Sequence, residues 1–280
     1  MKTLKYLLPL ALTLLIISCS KEKDSVQLDE TSELTKVQVL INDTHSIEVF
    51  TKDGKLIQGY NAIALRIKDE ISGKYIENAS ISWVPVMHMS NKMHSCPKSK
   101  ISKTIGSKTL YEGFVIFQMA ENASEGWKLT LNYTIEGTEY TVTDNISVSA
   151  SDKKHVTVFM DNTKTKYIVA LITPSAPKAG TNEFVLSIHK MENMMTFPVV
   201  ENYKIKQDPR MPSMGNHSSP NNTDLIFDSK TKMYNGDLSL TMTGYWKLNL
   251  MIYNSNNELI KGEAVTEENE SSSLFLELEF

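Results

Sequence analysis

Apolar and polar residues alternate along most of the chain after its first 35 residues, with the two-residue period of a half-buried β-strand. Turn-forming clusters such as Asp53-Gly54 and Asn254–Asn257 separate the alternating stretches, and no helical period stands out between them. The pattern therefore predicts an all-β fold. The predicted strands are Lys36–Ile41, Ser46–Phe50, Ala62–Ile67, Ala79–Trp83, Gly113–Met119, Lys128–Ile135, Glu139–Val148, Val156–Met160, Tyr167–Ile172, Phe184–Ile188, Leu238–Met242, Lys247–Tyr253 and Leu274–Phe280.

The same landmarks occur twice along the chain and in the same order, which indicates a tandem duplication. The later copy has a spacing shorter by four residues before its tryptophan, as a loop insertion at 121–126 in the first copy would produce. The paired landmarks are Gly59-Tyr60-Asn61 and Gly180-Thr181-Asn182, Tyr111-Glu112-Gly113 and Tyr234-Asn235-Gly236, Met119 and Met242, and Trp127-Lys128-Leu129 and Trp246-Lys247-Leu248.

Each copy has the length and strand number of an immunoglobulin-like domain. We expect two tandem immunoglobulin-like antiparallel β-sandwiches, at 36–150 and 151–280, with the boundary in the short polar stretch Ser149–Lys154. Each is long enough to bury its own core. Trp127 and Trp246, which begin late strands, are expected to anchor those cores.

The beginning of the chain has the pattern of a bacterial lipoprotein signal. Lys2 and Lys5 precede a short apolar run, and Ile16-Ile17-Ser18-Cys19 resembles a lipobox. The resemblance implies that cleavage leaves Cys19 as a lipid-carrying N-terminus. The polar stretch 20–35 that follows has the composition of a flexible tether. The lipobox resemblance implies a protein of the bacterial envelope, anchored at the outer membrane.

Charge and cysteine content narrow the possible functions. The 29 basic and 33 acidic residues give a net charge of −4, and without Lys2 and Lys5 it is near −6. The chain thus has no basic field for a nucleic acid. With Cys19 assigned to lipid, Cys96 is the one thiol left, so no internal disulfide is expected.

Two Pro-bounded segments, Pro85–Pro97 and Pro209–Pro220, are dense in thioether and imidazole groups. Soft sulfur combined with imidazole is the donor set that suits copper, above all Cu(I). The loops offer almost no carboxylate, which disfavours zinc. The candidate metal ligands are Met87, His88, Met89, Met93, His94, Cys96 and Met119 in the first copy, and Met211, Met214, His217 and Met242 in the second.

Spacing suggests how these donors converge. Met87 and Met89 would share one face of an extended segment, whereas Met211, Met214 and His217, three residues apart, suit a turn that folds all three inward. A third Met-rich stretch, Met191–Met195, is expected to pack as core or loop. His45, His155 and His189 lie outside any donor cluster and are expected to be structural.

The order Pro-x-Met, His-x-x-Pro, Tyr-x-Gly, Met and Trp-Lys-Leu resembles the YtkA-like/FixH-like domain of exported bacterial proteins. The second copy is the closer match, through Met211-Pro212-Ser213-Met214-Gly215-Asn216-His217, Gly236, Met242 and Trp246, and the first has His88 in place of a proline. The resemblance implies an immunoglobulin-like sandwich with a copper-binding Met/His loop.

Together these features predict a non-enzymatic, lipid-anchored envelope protein that binds Cu(I). It would sequester the ion or pass it to a copper-accepting envelope protein. The alternative is a structural or adhesion module that binds a protein or glycan through exposed aromatic residues such as Tyr60, Tyr203 or Tyr245. Both hypotheses share one fold, so the fold does not decide between them.

Overall fold

The computed structural model describes residues 29–280, and within them the predicted all-β fold is confirmed. The predicted signal sequence, Cys19 and the first part of the predicted tether, residues 1–28, lie outside the described residues. No helix within 29–280 has the length and apolar character needed to cross a membrane.

The first copy, called unit 1 below, contains eleven strands. They are β1 (Thr35–Ile41), β2 (His45–Thr51), β3 (Leu56–Ile57), β4 (Gly59–Asp69), β5 (Ser80–His88), β6 (Met93–His94), β7 (Ser102–Lys103), β8 (Leu110–Phe117), β9 (Gly126–Ile135), β10 (Thr138–Ile146) and β11 (Val148–Ser149).

Unit 1 is a sandwich of two antiparallel sheets, ordered β1-β2-β4-β8-β7 and β10-β9-β5-β6. This is the strand arrangement of an immunoglobulin-like domain with one extra strand at its N-terminal edge. Inward side chains of both sheets form a single core that includes Trp83, Leu131 and Trp127. The described part of the predicted flexible tether is instead held on unit 1, because Glu30 accepts hydrogen bonds from the backbone of Lys108 and Thr109.

The second copy, unit 2, contains ten strands and one turn of 3-10 helix at Pro212–Met214. The strands are β12 (Val156–Met160), β13 (Lys166–Thr173), β14 (Gly180–Lys190), β15 (Lys204–Met211), β16 (His217–Ser218), β17 (Leu225–Asp228), β18 (Met233–Leu240), β19 (Tyr245–Tyr253), β20 (Leu259–Lys261) and β21 (Phe275–Glu279).

Unit 2 has the same strand plan but one continuous hydrogen-bonded sheet, ordered β12-β13-β14-β18-β17-β15-β19-β20, with β16 on β15 and β21 on β19. Strand β17 pairs with both β18 and β15, so it joins the two layers that remain separate in unit 1. The layers still enclose one core, because Leu186 of β14 and Leu250 of β19 belong to the same buried cluster.

Three pairs of landmark residues have matching surroundings in the two units, as duplication predicts. The amides of Asn61 and Asn182 each bond the backbone four residues before them, at Ile57 and Lys178. The hydroxyls of Tyr111 and Tyr234 both bond backbone groups at the start of the strand that leads to a Met/His segment. The indoles of Trp127 and Trp246 are almost fully buried, which confirms their expected role as core anchors.

The two Pro-bounded segments differ from the predicted loops. Strand β5 continues through Pro85 to His88, and β15 continues through Pro209 to Met211, so each segment begins as a strand of its sheet. The sequence pattern missed β15 and β17 altogether, because β15 carries Asp208 and Pro209 where a simple alternation would place apolar or β-branched residues.

Candidate functional site

A short two-residue ladder at one end of each unit places a methionine directly opposite a histidine. In unit 1, β5 pairs with β6 so that Met87 faces His94. In unit 2, β15 pairs with β16 so that Met211 faces His217. Residues opposed in an antiparallel ladder project to the same side, with Cβ atoms about 4.5–5.5 Å apart. The fold therefore repeats one thioether–imidazole pair at the same place in both units.

In unit 1, a buried tryptophan lies against this pair. Trp127 is opposite Met87 in the β5–β9 ladder. The His94 ring meets the indole edge to face, with centroids 5.8 Å apart and an interplanar angle of 89°. The indole Nε1–H donates to the carbonyl oxygen of Met119 at 3.0 Å, which brings the loop that carries Met119 to the same end. We call Met87, His94, Met119 and Trp127 site 1.

Unit 2 contains the equivalent residues, although its His217 is exposed whereas His94 is half-buried. Arg210 is opposite Lys247, so the next residue along β15, Met211, reaches the level of Trp246. The Trp246 Nε1–H donates to the carbonyl oxygen of Met242 at 3.0 Å, matching the bond in unit 1. We call Met211, His217, Met242 and Trp246 site 2.

The loop of site 2 passes close over the buried methionine. Gly244 has φ +125°, and a Cβ added there would lie 3.1 Å from the Met211 Cε. A side chain at this position would thus be strained by its backbone and crowded by Met211. This glycine lets the Met242 loop approach the Met–His pair.

The predicted ligands divide into three groups by burial. Met87 and Met211 are fully buried at the ends of the two cores, and Met89 and Met119 are partly buried and pack against the core of unit 1. The third group is exposed: the side chains of Met93 (55%) and Met214 (56%) are more than half exposed, and that of Met242 is 37% exposed. Met87 and Met89 do share the inward face of their segment, whereas Met214 points outward from the 3-10 turn, unlike the expected inward fold of all three donors.

The His94 side chain is oriented by its own backbone. Its Nδ1 lies 2.8 Å from the carbonyl oxygen of Ser95. Because a carbonyl can only accept, Nδ1 carries the hydrogen, and the Nε2 lone pair is left free to bind a ligand. Burial lowers the pKa of His94, and the nearby cations Lys166 and Lys92 lower it further, so the neutral, metal-binding form persists below neutral pH.

The remaining two predicted ligands have different environments. His88 is half-buried at the end of β5 and faces Met93 across the ladder, on the side opposite to Met87. Cys96, which we expected to be a ligand, is fully buried in the core of unit 1. Burial raises the pKa of its thiol well above the ordinary value, and only a thiolate binds metal strongly. Cys96 therefore packs as a small apolar residue, and we leave it out of site 1.

One contact that the sequence did not indicate joins the residue after His94 to the other unit. The Ser95 backbone N–H donates to the carbonyl oxygen of Met194 at 2.7 Å. The third Met-rich stretch, expected only to pack, thus lies beside the residue that follows His94. In that stretch Met191 is partly buried, whereas Met194 and Met195 are 45% and 42% exposed.

Within residues 29–280, no group of three or more His, Cys, Asp and Glu side chains is placed to hold a metal ion. The residues that lie at this end of each unit instead offer one imidazole and two thioethers, and the loop methionine of each set is held there by the bond from the indole to its backbone carbonyl. This set matches the preference of Cu(I) for soft, neutral ligands and its weak geometric demands.

Comparison with known proteins assigns no family to the chain. No family model matches it, and no curated protein does. Among solved structures, it is similar to FdeC, a broadly conserved Escherichia coli adhesin, with 15% identity and a TM-score of 0.25. That match covers 83% of this chain, which spans only 63% of the adhesin chain.

A chimeric titin Z1Z2-Z1Z2 tandem carrying a fibronectin-derived GRGDS peptide is also similar, with 14% identity and a TM-score of 0.17. The match covers 80% of this chain and 93% of the titin chain. At such low TM-scores neither likeness bears on function.

Proposed function

We propose that the protein is a non-enzymatic binding protein of the bacterial envelope that takes up Cu(I), one ion at each of its two sites. Met87, His94 and Met119 would hold the first ion, and Met211, His217 and Met242 the second. The observation that carries the proposal is the repetition: in both units a Met–His ladder pair lies at the level of a buried tryptophan whose indole bonds the backbone carbonyl of a loop methionine.

The chemistry of each site suits a soft monovalent cation. Two thioethers and a neutral imidazole bring no charge, so binding needs no release of protons from thiols or carboxylic acids. The indole beside them presents a polarisable π-system, and tryptophan is the aromatic residue that best stabilises a nearby cation. The Ser95 carbonyl accepts the hydrogen bond from Nδ1 of His94, and such a bond orients the ring and makes Nε2 a better metal ligand.

In this proposal the ion is cargo. The protein would be held at the outer membrane by lipid on Cys19, and it would store copper or transfer it to another envelope protein. Partial exposure of Met242, and the exposed imidazole of His217, leave site 2 accessible to such an acceptor.

The direct test is a Cu(I) titration of the soluble form, residues 20–280, under competition from a chromogenic chelator. We expect two ions per chain. The double variant His94→Gln, His217→Gln removes one donor from each site and should weaken binding at least tenfold.

The matched control is the double variant Met93→Leu, Met214→Leu, which removes two exposed thioethers outside the sites and should bind like the unmodified chain. Binding that is equally strong in the histidine double variant, or lost equally in the control, would contradict the proposal.

The second candidate is a structural or adhesion module that binds a protein or glycan. What favours it is a sheet-to-sheet contact between the units, in which Ile116 of unit 1 and Ile168 of unit 2 belong to one buried cluster. An apolar contact between the units restricts their relative motion, which suits a structural or adhesive role.

The three aromatic residues that the sequence suggests for this role make contacts within the protein. Tyr60 packs on Phe114 at the contact between the units, Tyr203 packs on the core of unit 2, and the Tyr245 hydroxyl donates to Glu277. If the protein is such a module, it should capture a ligand on a glycan array, and the His94→Gln, His217→Gln variant should capture it equally well. Loss of capture in that variant would exclude it.

A further inference from the structure

The contact between the two units is made by the outer faces of two sheets. Along β13, Tyr167, Val169 and Leu171 point into the core of unit 2, whereas Ile168 and Ala170 point away from it. Both outward residues are nonetheless fully buried. Since side chains alternate along a strand, this burial means that another layer covers the outer face of β13.

The covering layer is the outer face of β4 and β8 in unit 1. Along β8, Val115 and Phe117 enter the core of unit 1, and Phe114 and Ile116 point outward into the cluster that holds Ile168. Phe197, from the loop after β14, belongs to the same cluster. We call this contact the junction.

A buried histidine lies beside this apolar junction, next to the segment that holds Phe197 and Val199. His189 of β14 is opposite Ile168 in the β13–β14 ladder, so its side chain projects to the junction side. It is only 2% exposed. Its Nδ1 lies 3.0 Å from the carbonyl oxygen of Phe197, which requires the hydrogen on Nδ1. Its Nε2 is buried and has no hydrogen-bond partner among the described residues.

Several other ionisable groups lie around the junction. Lys166 is two residues before Ile168 on the same face of β13, and it is partly buried. Tyr60 of β4 and Glu112 of β8 interact electrostatically at the opposite layer. His155, just before β12, lies against Gly59. Within the described chain, none of these contributes to the pKa of His189, which burial lowers to about 4 against the opposing effect of the Phe197 bond.

We propose that His189 is an acid-sensitive latch that holds the two units together and releases them as pH falls. A proton taken from solvent would bind Nε2 and create an imidazolium whose second N–H has no acceptor in the closed junction. Burying such a group is costly, so the protonated protein favours the open junction, in which water solvates the ring.

The sign and size follow from proton linkage. The ordinary pKa of this histidine is 6.5, and it is about 4 in the closed junction. The closed state is therefore fully favoured above about pH 6.5 and loses its advantage as pH falls towards 4. Between pH 7 and pH 5 the ratio of open to closed junction should rise roughly 20-fold.

The test is methyl NMR of the whole chain with labelled isoleucine. The nuclear Overhauser effect (NOE) between the methyl groups of Ile116 and Ile168 reports the closed junction, and exchange-saturation experiments measure the open population. Between pH 7 and pH 5 the open population should rise about 20-fold. Methyls of Ile63 and Ile205, in the two separate cores, should be unaffected.

Two variants separate His189 from other acid effects. His189→Asn keeps a side-chain N–H for the Phe197 carbonyl but does not titrate, so its open population should not change with pH. His155→Asn removes the neighbouring histidine and should behave like the unmodified chain.

An open population that is independent of pH in the unmodified chain, or an equal rise in His189→Asn, would overturn the latch. Should His189→Asn fail to fold, nitrogen-detected NMR of His189 in the unmodified chain decides the matter. Titration of this ring near pH 6.5 while the Ile116–Ile168 effect persists would equally overturn it.

Discussion

His94 stands edge-on to Trp127, with the two ring centroids 5.8 Å apart and the planes nearly perpendicular. The arrangement leaves the imidazole Nε2 free, because Nδ1 is committed to the Ser95 carbonyl. A ligand bound to His94 would therefore sit beside an indole that is otherwise buried in the core.

Tryptophan fluorescence should report metal binding at both sites. Silver(I), which mimics Cu(I) and does not oxidise, is expected to alter the emission of Trp127 and Trp246. The double variant Trp127→Phe, Trp246→Phe leaves Trp83, whose Nε1–H bonds the Ser99 carbonyl and which lies four residues before Met87, roughly 13 Å along the strand. Its emission should not respond to silver, and an undiminished response would place the metal elsewhere.

Two variants of the buried Met87 should separate its contribution to stability from its contribution to metal binding. Met87→Ala leaves a cavity at the end of the unit 1 core and should cost about 2–5 kcal/mol of unfolding free energy, whereas Met87→Leu keeps the volume and should cost less than about 1.5 kcal/mol. Denaturant unfolding measures both. The leucine variant should remain folded and still lose Cu(I) affinity at site 1. Unchanged affinity in folded Met87→Leu would remove this thioether from the site.

The hydroxyls of Tyr111 and Tyr234 should contribute similar amounts to the stability of their units. Tyr111→Phe leaves the Ala79 N–H without its partner, and Tyr234→Phe leaves the Val200 carbonyl and the Tyr203 N–H without theirs. Each loss should cost about 1–3 kcal/mol. Thermal or urea unfolding of the two variants gives the values. A cost near zero in one unit alone would argue against equivalent roles.

Cys96 should behave as a packed apolar residue. Because its thiol is fully buried and its pKa is raised, alkylation by iodoacetamide should be negligible in the native state and rapid in denaturant. Cys96→Ala should retain Cu(I) affinity. Fast native alkylation, or weaker copper binding in this variant, would restore the thiol as a ligand.

The segment before β1 should detach in acid. Burial opposes ionisation of Glu30, but hydrogen bonds from Thr109, Lys108 and Ser107 lower its pKa from 4.5 to about 2. A depressed pKa stabilises the docked form fully above about pH 4.5, and that stabilisation is lost as pH falls through 2. Limited proteolysis with pepsin should cleave this segment faster as pH falls below 4. Glu30→Gln should be cleaved fast throughout, and a protected Glu30→Gln would contradict this assignment.

The sequence predicts the fold better than it predicts the site. Alternation and the repeated Asn61/Asn182 and Trp127/Trp246 landmarks predict the all-β tandem fold, because strand period and turn residues are local properties. Burial of Met87, Met211 and Cys96 was not predictable in the same way. A strand's pattern says which residues share a face, and only the packed sheets decide whether that face meets solvent or core.

The junction could not be predicted from the sequence, for a related reason. Ile168 and Ala170 read as ordinary strand residues, and nothing local shows that a second sheet covers them. His189, expected to be structural, acquires its significance only from the layer that buries it. The contact between Ser95 and Met194 likewise joins segments about 100 residues apart, which no spacing argument could connect.

The most direct test of the proposed copper chemistry is X-ray absorption at the copper edge of the chain loaded with two equivalents of Cu(I). We expect about two sulfur atoms and one nitrogen atom around each ion, with the nitrogen contribution absent in the His94→Gln, His217→Gln variant. A shell of nitrogen and oxygen alone, or a spectrum unchanged by loss of both histidines, would contradict it.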